Sequence, residues 1–146
     1  MKSLFLSVFL FLAAAATQAN DVIVNRMWKE IVPGNPSLWV DTQNMKVEKG
    51  VLHVAIKTKF GSPQKLRGYI SPDDMGTMPL TDTTSYIITD TYINCDGSTY
   101  RVFSEKLFNV DDKQFFIFES KLKIPTTIDT DSPPEIIMLK YCPQEK

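Results

Sequence analysis

Two cysteines, Cys95 and Cys142, constrain this chain more than any other feature, because they are its only thiols and the residues ahead of them read as an export signal. In an oxidising compartment a lone pair generally closes into a disulfide. With two cysteines there is one intrachain pairing. Closing a loop of about 47 residues limits the unfolded ensemble by roughly 4 kcal/mol on the loop-entropy account. That is a large share of the ~5–15 kcal/mol by which a domain is stable. A free thiol or a metal-ligand pair fits less well, since the spacing is long and His53 is the only histidine.

The export signal lies at the start. Lys2 precedes a nearly unbroken apolar run from Leu4 to Ala16, and Thr17-Gln18-Ala19 supplies small residues for signal peptidase. This is the order of a cleavable secretory leader, here residues 1–19. The run of roughly 13 apolar residues falls short of the ~20 that cross a bilayer. After Asn20 every apolar stretch is broken by Lys, Asp, Glu or Pro, so no integral membrane segment is expected once the leader is cleaved. Residues 20–146 then form one domain, since about 127 residues suit a single core. The net charge of −1 is spread over interspersed Lys and acidic residues. Nucleic acid is therefore not an expected partner, because phosphates need a basic stripe; Lys121 and Lys123 read as solvated surface.

Strand signals follow one another along the mature chain. Asp21 to Val32 reads as a strand or a short helix, and Pro33-Gly34-Asn35-Pro36 forces a turn. Leu38 to Thr42 reads as a short strand. Met45 to Val47 and Val51 to Phe60 flank Glu48-Lys49-Gly50 as a hairpin, with Leu52, Val54 and Ile56 on one face and His53 and Lys57 on the other. From Gly61 to Thr84, Pro63, Gly68, Pro72, Gly76 and Pro79 punctuate a polar stretch read as a long loop, with room for a strand around Leu66 to Ile70. Ser85 to Cys95 is rich in β-branched and aromatic residues and reads as a central strand. Tyr100 to Val110 and Gln114 to Ile124 flank Asp111-Asp112-Lys113 as a second hairpin, and Thr126 to Asp131 reads as a polar loop. Ser132-Pro133-Pro134-Glu135 has the pattern of a capping box. It predicts a helix over about Pro133 to Tyr141 with Ile136, Leu139 and Cys142 toward the sheet.

This order of features resembles the bacterial surface-adhesin protein E-like domain family, small exported proteins of Gram-negative bacteria. The resemblance is carried by Trp28, by Val40-Asp41, by Val54-Ala55-Ile56-Lys57, by the Tyr86 to Cys95 strand, and by Ser132 to Cys142. It spans nearly the whole mature chain. It implies an α+β fold, mostly antiparallel β-sheet, with a short C-terminal helix stapled by the disulfide. It also implies periplasmic, secreted or surface placement and attachment to host matrix proteins. The adhesin prototype resembles a lipoprotein with cysteine at the cleavage point; here Asn20 or Asp21 begins the mature chain, so no lipid-anchor motif is present.

The residues single out no catalytic group. His53 lacks histidine or free-cysteine partners for a metal and sits on the expected solvent side of its strand. Asp129 and Asp131 start like a calcium loop, but Pro134 stands where a turning glycine is needed. Carboxylates are plentiful without a distinguishable pair. The expectation is a non-enzymatic binding module with no cofactor and no metal, whose partner is a host-matrix or envelope protein. Alternatives are a periplasmic inhibitor of a lysozyme-type enzyme and, third, a small hydrolase. The candidate binding loop offers Lys59, Lys65, Arg67, Tyr69, Asp73 and Asp74. Tyr86, Tyr92, Tyr100, Phe116 and Phe118 form a candidate aromatic face, half of which must point into the core.

Overall fold

The structure, a computed structural model, describes residues 25–65, 83–119 and 124–143. The leader, the strand expected at Leu66 to Ile70, and Lys121 and Lys123 lie outside them. The strands are β1 (Trp28–Val32), β2 (Ser37–Asp41), β3 (Lys46–Glu48), β4 (Val51–Gln64), β5 (Thr84–Asn94), β6 (Thr99–Phe108), β7 (Gln114–Glu119) and β8 (Thr126–Thr127), followed by one helix, α1 (Pro133–Tyr141). All pair antiparallel in one sheet of order β1-β2-β4-β5-β6-β7, with β3 beside β4 and β8 beside β6. The fold is thus α+β, dominated by an antiparallel sheet, with a C-terminal helix held by a Cys95–Cys142 disulfide.

The long β4–β5 pair is the spine, running in register from Val51↔Asn94 to Lys59↔Tyr86. Period-two alternation puts Leu52, Val54 and Ile56 on one face, where they pack with Val40, Ile93, Ile137 and Cys142. Val40, Leu52, Ile93 and Ile137 are fully buried there. The β3–β4 turn has positive φ at both Lys49 (50°) and Gly50 (74°), as a two-residue primed hairpin turn requires.

Of the two readings left open for the segment beginning at Asp21, the strand is the one formed, over Trp28–Val32. Three expectations are corrected. Strand β4 runs past Phe60 to Gln64, so the loop does not begin at Gly61. A register shift between Lys59 and Gln64 accommodates Pro63, a residue tolerated at irregular strand positions. The Gly61 N–H is satisfied by the Asn35 side chain at 2.8 Å, an approach so close that a Cβ at Gly61 would lie 2.8 Å from Asn35 Nδ2. Thr126 and Thr127 form a short strand against Tyr100 and Thr99 where a loop was expected.

The third correction concerns α1. Its buried residues are Pro134 and Ile137, with Met138 and Tyr141 packed on the core, while Leu139 is 59% exposed. Positions 134, 137, 138 and 141 form one helical stripe. The segment is apolar on several sides, so pattern alone left its rotation undecided; the bond at Cys142 selects the stripe. The capping box also differs. Ser132 caps by position but makes no side-chain cap bond, and Glu135 Oε2 accepts the N–H of Asp131 at 2.6 Å, one residue further back.

Candidate functional site

Directly opposed residues of an antiparallel pair share a face. Register therefore assigns His53, Ala55, Lys57 and Lys59 of β4 to the face away from α1. Tyr92, Asp90, Ile88 and Tyr86 of β5 join them, as do Ser104, Lys106 and Phe108 of β6 and Ile117 and Glu119 of β7. Among the described residues no helix covers this face. It divides into a packed patch and a groove.

In the packed patch Ala55, Tyr86 and Ile88 are buried, with Trp28 and Phe108 against them. Tyr86 stacks on Phe108 with centroids 4.6 Å apart. Lys57 Nζ lies 4.1 Å from the Tyr86 ring centre and 5.6 Å from that of Trp28, a cation–π arrangement. Burial lowers the Lys57 pKa; Asp112 opposes the shift and Lys59 adds to it. Burial, the Asp112 charge and a hydrogen bond to Asp112 together push the Tyr86 phenol up to about 12. A raised folded-state pKa favours the fold below the unfolded value of ~10 and loses that contribution as pH rises toward the folded value. Thermal melts between about pH 9 and 12 are expected to show wild type losing its advantage over Tyr86→Phe across that window. A constant difference between the two proteins would contradict the assignment.

The groove, about 750 Å³, is lined by Arg26, Asn44, His53, Val54, Ala55, Asp90, Thr91, Tyr92, Phe103, Ser104, Lys106, Ile117 and Glu119. Three rings from adjacent strands form its floor. His53 stacks on Tyr92 at 3.9 Å and 12°, and Phe103 meets the other side of Tyr92 at 4.0 Å and 42°. A bulge builds this arrangement. Thr91 pairs with Val102, but the preceding Asp90 pairs with Ser104, which leaves Phe103 unpaired and puts two consecutive β6 residues on the groove side. Bulges commonly re-aim side chains in this way beside functional sites. Asp90 Oδ2 accepts the Ser104 hydroxyl at 2.7 Å and lies 3.5 Å from Lys106 Nζ. Tyr92 and Ile117 are 36% and 44% exposed.

Arg26 reaches the groove from a separate anchor. Its Nη1 is 3.4 Å from Oδ2 of Asp41, a fully buried side chain. The Asp41 carboxylate also accepts the Met27 and Gln43 N–H groups, each at 3.1 Å, and Asn44 Nδ2 at 2.7 Å. Burial alone would raise its pKa, but the hydrogen bonds from Asn44, Met27 and Gln43 outweigh it and hold the carboxyl below its usual value. A second cavity of about 880 Å³ lies beside the disulfide, lined largely by turn residues and the end of α1.

Of the expected binding-loop residues, Lys59 is an exposed β4 residue opposite Ser37 and Tyr86, inside the strand expected over Val51 to Phe60. Lys65 is exposed just beyond β4. Neither lines the groove. Arg67, Tyr69, Asp73 and Asp74 lie outside the described residues. The expected aromatic face splits: Tyr86 and Tyr92 stand on the helix-free side, whereas Tyr100 packs into the core and Phe116 packs against Leu107. Phe118 pairs with Glu105, and its side chain lies outside the described set. His53 stands on the expected side of β4, away from Leu52, Val54 and Ile56, and is half-buried there by its stack on Tyr92. Cys95 and Cys142 are bonded, with Cα atoms 5.6 Å apart, which fits a chain folding in an oxidising environment.

Sequence reading passed over Asp90, Ser104, Lys106 and Glu119. One signal was available: an aspartate amid Tyr-Ile-Ile-Thr-Asp-Thr-Tyr is costly in a strand interior unless something there uses it. Among the described residues no three His, Cys, Asp or Glu side chains converge as a metal site, and no helix is long and apolar enough to cross a membrane. No family model matches the chain, and neither does any curated protein or solved structure.

Proposed function

We propose that the chain is an exported, non-enzymatic binding module that engages a host-matrix or envelope component through the helix-free face of its sheet. The observation that carries this reading is the groove, in which exposed Tyr92 and Ile117 sit among charged groups of both signs. An aromatic anchor within a polar rim is the usual composition of a recognition patch. Rings already stacked on their neighbours lose little freedom when a partner docks. Resemblance to the surface-adhesin protein E-like domains supports an adhesin-like role. Three residues on which that resemblance rests, Trp28, Lys57 and Tyr86, make the packed patch next to the groove. The disulfide and the leader sequence support periplasmic, secreted or surface placement, which fractionation of the native host resolves.

The test is retention of the purified mature domain on immobilised matrix proteins and envelope extract. Replacing Tyr92 by Ala together with Ile117 by Ser is expected to lower retention by about tenfold or more. Lys59→Ala with Lys65→Ala is expected to leave it unchanged. The opposite pattern would move the site to the segment after β4.

The inhibitor reading is favoured by one observation, the β6–β7 tip. Asn109 Oδ1 accepts the N–H groups of Asp111 and Lys113, both at 3.0 Å, and Val110 projects 63% exposed. A tied, protruding loop suits insertion into a cleft. Lysozyme turnover that is unaffected by excess domain would remove this reading.

A further inference from the structure

The groove's hydrogen-bonding capacity narrows what it can hold. Its ionic side chains are two cations, Arg26 and Lys106, and two anions, Asp90 and Glu119. Arg26 is already turned to Asp41, and Lys106 to Asp90. An anionic ligand would have to break one of these contacts to reach a cation, so the groove disfavours anions. Unused capacity of both kinds remains. Lys106 and Arg26 keep further N–H donors, Asp90 keeps the oxygen that neither Ser104 nor Lys106 uses, and the Glu119 carboxylate makes no hydrogen bond or ion pair among the described residues. The Tyr92 hydroxyl adds a group that both donates and accepts.

Polypeptide is a poorer match for this wall. A peptide backbone pairs with a free strand edge, but the groove floor lies over β4, β5 and β6, whose ladders are occupied on both sides. The walls offer side chains alone, and four of them are ionic, unlike an apolar pocket for a peptide side chain. A sugar ring carries hydroxyls that donate and accept at the same atom, with apolar C–H edges between them. Charged side chains make the stronger bonds to such hydroxyls, and Tyr92 and Ile117 meet the C–H edges. The volume of about 750 Å³ lies within the ~300–1,000 Å³ of small-ligand sites.

We infer that the groove binds an uncharged saccharide, a short run of hexose or N-acetylhexosamine units within a glycan. The inference rests on the binding-module reading and makes the sugar of the partner, not its polypeptide, the recognised part.

The experiment titrates the ¹⁵N-labelled mature domain with chitotriose, maltotriose, cellotriose and N-acetyllactosamine, in parallel with retention of its matrix or envelope partner before and after enzymatic deglycosylation. The expected result is millimolar or tighter binding of at least one sugar, with amide shifts at His53, Tyr92, Ser104 and Glu119, and loss of partner retention on deglycosylation. Glu119→Ala is expected to weaken the sugar about tenfold and Tyr92→Phe a few-fold. Both change exposed groups, and unchanged melting temperatures confirm that each is folded. Lys59→Ala has no effect. No shift with any of the sugars, or shifts confined to residues outside the groove, overturns the inference. If the partner is then retained equally after deglycosylation, the binding-module reading stands with a polypeptide ligand. If neither partner nor sugar is retained, both readings fall.

Discussion

Replacing Cys95 and Cys142 together by serine is expected to destabilise the domain by about 4 kcal/mol, the loop-entropy value for this ring size. It should also release α1 before the rest of the sheet melts. The helix has nine residues, below the ~12–15 at which an isolated helix holds in water. Pro134 and Ile137 are its only buried side chains, and its N-cap serine makes no capping bond. The bond to Cys95 anchors its C-terminal end at the end of β5, the most extensively paired strand besides β4. Urea unfolding gives the total loss, and native-state hydrogen exchange locates it. Amides of Ile137 to Tyr141 should lose protection while those of Leu52 to Ile56 and Thr89 to Ile93 keep most of theirs. Equal loss everywhere would mean that the disulfide acts only on the unfolded chain. Undiminished protection in α1 would mean that packing of Ile137 suffices.

The sheet was legible because its central strands announce themselves locally. The β-branched run in β5 and the alternation of Leu52, Val54 and Ile56 against His53 and Lys57 specify strand, face and register together. Less was legible where tertiary partners decide. Gly61 and Pro63 look like the end of a strand, yet the Asn35 side chain supplies a hydrogen-bond partner from 26 positions away and the strand continues. In α1 the sequence permits more than one buried stripe, and the covalent bond chooses. The groove was least legible, because it depends on a bulge that moves Ser104 to the same face as Phe103. Alternation read from the sequence would put those two residues on opposite faces. Turn-forming residues concentrate in the long loop and draw a sequence-based site there, while the ionic and aromatic side chains of the groove collect mid-sheet.

Asp41→Ala is expected to cost about 3 kcal/mol, a loss on the order of 10 °C in melting temperature for a domain of this size. The side chain is fully buried yet charged, and four separate donors converge on it. Two are backbone N–H groups: Met27 at the entry to β1 and Gln43 in the turn after β2. The carboxylate therefore fastens the edge strand to the turn that leads into β3. Truncation leaves these donors without an acceptor in a site closed to water, and the penalty of an unmade buried bond exceeds the net gain of a made one. Because the folded-state pKa is depressed below 3.8, the contribution is fully present above that value and is lost as pH falls through the folded pKa. The stability gap between wild type and Asp41→Ala should therefore be flat from about pH 5 to 8 and narrow below about pH 4. Asp41→Asn separates charge from shape: it keeps one oxygen acceptor and should recover part of the loss at neutral pH, without the acid dependence. A gap that stays constant to pH 2 would show that Asp41 acts by filling space and not as an ionised acceptor. Arg26 gives the link to function, since its guanidinium touches Asp41 and lines the groove. Partner retention should thus fall in Asp41→Ala even at temperatures where the sheet remains folded.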